Sequence, residues 1–66
     1  MRQELLVDLS GLAFADISLM LDLAIIARRL RHLGRGMRVY GAQPQIARLI
    51  EMVGLHRQPG VTVVFA

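Results

Sequence analysis

Apolar residues change their spacing repeatedly along the chain, and each change marks an element. In "ELLVDL", residues 4 to 9, Leu5, Val7 and Leu9 alternate with Leu6, so apolar side chains fall on both faces of an extended segment. Such a strand is expected where a parallel sheet is covered on both sides. "SGL" ends it. From residue 17 to about 33 the period lengthens to that of a helix. Leu19, Leu23, Ile26, Leu30 and Leu33 form one face, widened by Met20, Ala24 and Ala27. Asp16 stands at the N-cap position, where a short carboxylate accepts from the first free backbone N–H groups. Gly34 and Gly36 supply the stop.

The second half repeats the alternation. "MRVYGA", residues 37 to 42, reads as a strand, and "QPQIARLIEMVGL" as a helix. Pro44 suits the first helical position, where its missing N–H costs nothing. Ile46, Leu49, Ile50 and Val53 make the buried face, and Gly54 followed by Leu55 predicts a Schellman ending. After the turn "RQPG", the segment "GVTVVFA" is the last strand. The order is β-α-β-α-β with short connections. Right-handed crossovers then require parallel strands with the helices packed on the sheet. The expected fold class is therefore α/β: three parallel strands and two helices. Both sheet edges are open, and open edges recruit partners, so a homo-oligomer is expected.

Composition narrows the chemistry. Sixty-six residues allow one domain that buries only roughly 60% of its unfolded surface. The chain has no cysteine, which excludes disulfides and thiolate metal sites. His32 and His56 have no carboxylate near them at ligand spacing, so no metal is expected. The net charge is +3, and all eight basic residues are arginine, five of them between Arg28 and Arg38. Without aromatic interleaving they read as a solvated helix end, not a nucleic-acid patch. Hydrophobic residues make up 55%, yet Asp16 and Asp22 interrupt the longest apolar region, so no membrane insertion is expected. "MRQELL" lacks signal-peptide architecture, and a cytoplasmic protein with apolar surface to cover is the simplest expectation. No nucleophile–base pair, catalytic carboxylate pair or cofactor loop is present, so the expectation is a non-enzyme without a cofactor. His32 and His56 are expected at the surface, and Tyr40 near the loop "GAQPQ".

The residues "ELLVDLSGLAFADIS", the helix ending "ARRLRHLG" and the run "MRVYGAQPQIARLIEMVGL" resemble the STAS domain, the sulfate-transporter and anti-sigma-factor-antagonist family. The joint spacing of Asp8, Asp16, Gly34, Pro44, Gly54 and Leu55 carries the resemblance over nearly the whole chain. It implies one STAS-like domain over 1–66, whole or partial. Family domains usually carry an N-terminal hairpin and a C-terminal helix that this chain lacks. The resemblance also implies a loop whose serine, just after the aspartate, is phosphorylated by a kinase-like anti-sigma factor. It places that acceptor at position 17, which here is Ile17; Asp16 and Ser18 match, and the usual glycine is Leu19.

The implied function is a bacterial protein-interaction module. It would bind a kinase-like anti-sigma factor to regulate transcription, without the usual phosphorylation switch. The partner-binding residues expected are Asp16, Ile17, Ser18, Leu21, Asp22, Ile25, Gly41, Gln43 and Pro44. Ser18 is the remaining candidate for phosphorylation, or else satisfies a backbone group at the helix start. Ser18, Asp22, Ile25, Arg29 and His32 form the helix stripe away from the core, with Ile17 and Leu21 beside it. That apolar trio is either a contact surface or the seat of an absent element. STAS-like domains also serve as accessory subunits of membrane transporters, which is the alternative. A half-domain completing a partner's sheet is a third reading.

Overall fold

The computed structural model describes residues 3–65. Met1, Arg2 and Ala66, the last residue of the expected third strand, lie outside them. The elements are β1 (Glu4–Asp8), α1 (Ile17–His32), β2 (Gly36–Tyr40), α2 (Pro44–Val53), a 3₁₀ turn (Leu55–Arg57) and β3 (Val61–Val64). The strands form one parallel sheet in the order β1-β2-β3, as the alternation of elements requires. A sheet growing in one direction through right-handed crossovers places both helices on the same face. The register agrees: Val7 pairs with Val39 and Val39 with Val63, and all three enter the core, as do Met37 and Val61.

The opposite face is open, which corrects the expectation of a strand covered on both sides. Leu6 lies there at 61% exposure, beside Arg38 and Thr62 in register. Arg38 reaches Glu4 across that face at 3.5 Å. Both groups are well exposed, so the pair adds little stability.

The core centres on Met20, Met37, Val39, Ile46, Ile50 and Leu55, all fully buried. α1 contributes Met20, Leu23 and Ala27 to it, while Ile26 and Leu33 are exposed. Its core face is thus rotated from the expected row of leucines. Ala27, buried like Met20 and Leu23, is the small residue of that face. The Leu30 flank leans toward β1, where it meets Leu5 and Arg35 in a shallow pocket and no described strand lies beyond. α2 buries the expected face, with Ile46 and Ile50 inside and Leu49 and Val53 beside them.

The helix ends carry a second correction. The paired Schellman bonds expected at Gly54 form at Gly34 instead. The Gly34 N–H donates to the Arg31 carbonyl at 3.0 Å and the Arg35 N–H to that of Leu30 at 2.8 Å. At Gly54 the left-handed backbone (φ +74°) and a bond to the Glu51 carbonyl end α2. Leu55 then turns on into the 3₁₀ segment, because its side chain is drawn wholly into the core.

Candidate functional site

Two loops leave the C-terminal ends of β1 and β2, where open α/β sheets present their binding groups. The first begins with the Ser10 N–H donating to Asp8 Oδ1 at 2.9 Å, and the Leu12 N–H donating to the Leu9 carbonyl at 3.0 Å. The bond from the Ser10 backbone N–H, and after it that from the Ser10 hydroxyl, holds the Asp8 carboxyl below its ordinary value. The loop ends at Asp16, whose Oδ1 accepts the Leu19 N–H at 3.2 Å and caps α1 as expected.

The second loop packs against the start of the first. Gly41 has φ +76°, and a Cβ there would stand 3.0 Å from Ser10 Cβ and 3.1 Å from Asp8 Oδ1. Gln43 Nε2 donates to the Ser10 carbonyl at 3.4 Å, and Gln45 Nε2 to the Ala13 carbonyl at 3.1 Å. Gln45 Nε2 also donates to Gln43 Oε1 at 3.0 Å. Gly41 and Gln43 therefore meet Ser10, not Asp16–Ser18. Pro44 is exposed at the first turn of α2, beside Gln45 and Arg48.

The remaining expected residues lie along α1. Ile17, Leu21 and Ile25 recur every four residues and are 43%, 49% and 53% exposed, a continuous apolar ridge. Ser18 and Asp22 are exposed beside it. Among the described residues the Ser18 hydroxyl makes no hydrogen bond, and the helix-start group is satisfied by Asp16. Leu21 and Ile25 line a groove with Gln58 and Pro59, leading away from the Gly41–Pro44 loop. The nine expected residues thus fall into two sets, one on α1 and one at the loop junction.

Sequence reasoning missed Gln45, for which no local pattern speaks, and Phe14. Phe14 is 90% exposed and overhangs a shallow apolar pocket with Ile46 and Leu49. The apolar run around it read simply as connection. His56, expected at the surface, is half-buried: its Nδ1 is enclosed without a partner among the described residues, and its ring meets Phe65 edge-on at 6.4 Å. The short 3₁₀ turn carries it inward beside Leu55. His32 is exposed, and Tyr40 ends β2 next to the loop.

Among the described residues no group of His, Asp and Glu is placed to hold a metal ion, and no helix is long and apolar enough to cross a membrane. Compared with known proteins, the chain matches the family model of the STAS domain over residues 2–65. No curated protein and no solved structure matches it.

Proposed function

The chain belongs to the STAS domain family, and from that premise we propose that it acts as an anti-sigma factor antagonist, docking a kinase-like anti-sigma factor to regulate transcription. STAS domains are generally non-enzymatic binding modules. The observation that carries the reading is the Ile17–Leu21–Ile25 ridge, which starts at the capped end of α1 and is covered by no described element. Full burial of such a side chain is worth about 1.5–3 kcal/mol, so covering the exposed half of each gains roughly 1 kcal/mol. Three fall short of the about 4–15 kcal/mol that association costs. Asp16 and Asp22 beside the ridge, and Gly41, Gln43 and Pro44 at the neighbouring strand end, are the further contacts proposed.

Ile17 occupies the position of the family's acceptor serine and cannot take a phosphate. Docking therefore escapes that control. Ser18, with an exposed hydroxyl at the second helical position, is the remaining acceptor; phosphate there would add about −1.5 to −2 charge to the surface. The same absence of an acceptor at Ile17 favours the second reading, an accessory subunit of a membrane transporter. A second copy is the proposed cover for the open sheet edges, since among the described residues β1 and β3 each pair only with β2. A clean monomer at micromolar concentration in sedimentation would contradict that pairing.

The test of function is a pulldown of the tagged chain from its own cells, read by mass spectrometry. A kinase-like anti-sigma factor is the expected companion. A transporter ATPase in its place moves the chain to the second reading, and capture of neither overturns both.

A further inference from the structure

A groove of about 560 Å³ runs between α1 and the turn before β3. Leu21, Ala24, Ile25 and Pro59 give it an apolar lining, and Arg28 and Arg31 stand toward its other end. Leu21, Ile25 and Arg28 follow one another at four and then three residues along the helix. At 1.5 Å per residue the apolar pair and the two cations together span about 15 Å of helix axis.

Among the described residues the two guanidiniums form no ion pair. Three and four residues from Arg28 stand Ala24, Ile25, Arg31 and His32; the same positions around Arg31 hold Ala27, Arg28, Gly34 and Arg35. The carboxylates of α1, with its cap, are Asp16 and Asp22, both at least six residues before Arg28. Among the described residues the ion pair formed is Arg38 with Glu4, on the open face of the sheet. Like charges one turn apart weaken a helix. The negative end of the α1 dipole offsets part of that, but it leaves the guanidinium forks unfilled. An arginine fork matches a carboxylate in a two-bond geometry.

We propose that this groove takes an acidic amphipathic helix of a partner protein, its leucine-like residues on Leu21 and Ile25 and its carboxylates on Arg28 and Arg31. The proposal deepens the docking reading above and rests on it: the ridge continues past Ile25, and the partner surface gains a stated chemistry. Charge complementarity selects an acidic occupant. The strip runs along α1 for about 15 Å, the length of roughly ten helical residues, which suits a helix laid beside it; an anionic bilayer offers the same charge and is the occupant the vesicles test.

The direct test is an amide NMR titration of the whole chain with a synthetic helical peptide that has leucines on one face and two glutamates one turn beyond them. A glutamine-for-glutamate peptide and phosphatidylglycerol vesicles run in parallel. The expected shifts map to Leu21–Arg31 and Gln58–Gly60, weaken with salt, and fall at least about tenfold in affinity with the glutamine peptide or the double variant Arg28→Glu, Arg31→Glu. Shifts spread evenly over all the arginines, shifts that survive the double variant, or shifts from vesicles alone overturn the proposal. Both arginines are exposed, so an unchanged circular dichroism spectrum of the variant is expected. The pulldown separates the groove from the docking module. A partner still held by the double variant removes the groove and leaves the docking module; no partner held by the unchanged chain removes the module, while the titration still reads the groove.

Discussion

Gly41→Ala is expected to be far more damaging than Gly54→Ala, although both glycines hold nearly the same left-handed backbone, φ +76° and +74°. That backbone alone costs an alanine about 1–2 kcal/mol. At Gly54 nothing lies within 4 Å of the added Cβ, so the backbone cost is the whole effect. At Gly41 the Cβ would meet Ser10 Cβ at 3.0 Å, Asp8 Oδ1 at 3.1 Å and the Ser10 nitrogen at 3.2 Å. Carbon contacts rest near about 3.5–4.0 Å, so one loop must move. Neither moves freely: Ser10 is tied to Asp8 Oδ1, and the Leu9 N–H donates to the Tyr40 carbonyl at 2.9 Å. Forced overpacking adds about 1–3 kcal/mol, for a total of about 2–5 kcal/mol. At about 0.05–0.15 kcal/mol per residue, a chain of 66 residues holds roughly 3–10 kcal/mol in all. Urea unfolding followed by circular dichroism is the assay. With a slope of about 1 kcal/mol per molar, Gly41→Ala should unfold at least ~1 M below Gly54→Ala. Coincident midpoints would refute the close junction of the two loops.

Asp16→Ala removes the α1 cap and should lower stability by about 1 kcal/mol in the same assay; an unchanged midpoint would show that the Leu19 N–H does not depend on it. The Asp8 carboxyl titrates below 3.8 in the folded chain, so its contribution is complete above that pH and is lost as pH falls through the lower folded value. A stability–pH profile of Asp8→Asn should therefore lose part of the acid-side slope seen in the unchanged chain, and parallel profiles would exclude the Ser10 bonds as the cause. Ile17→Ser restores a hydroxyl at the family's acceptor position, and intact-mass analysis with a competent kinase-like partner should find one added phosphate. No phosphate on that variant counts against the anti-sigma reading.

The order of elements, the Asp16 cap and the Pro44 helix start were legible because each rests on local chemistry: a period, a short carboxylate, a missing N–H. What the sequence could not convey depends on neighbours distant along the chain. Leu6 reads as half of a doubly covered strand, and only the placement of both helices on one face leaves it in solvent. The rotation of α1 toward Met20 and Ala27 depends on how that helix packs on the sheet, which periodicity alone leaves open among Leu, Met and Ala. Gly54–Leu55, with its apolar residue after the glycine, offers the stronger local signal, yet the core takes Leu55 and the paired bonds form at Gly34–Arg35. In the site, the α1 ridge was readable from four-residue spacing. The joining of Gly41 and Gln43 to Ser10 was not, because a long-range loop contact has no spacing to read.

If the α1 ridge docks the partner, the affinity of the purified chain for its captured partner must depend on it. Ile25→Asp places a charge at the end of the ridge where the groove begins, whereas Met52→Asp alters an exposed residue of α2. Calorimetry should find Ile25→Asp weakened by roughly tenfold or more and Met52→Asp unchanged. Equal affinity for the two variants would contradict the claim and place the docking surface elsewhere on the domain.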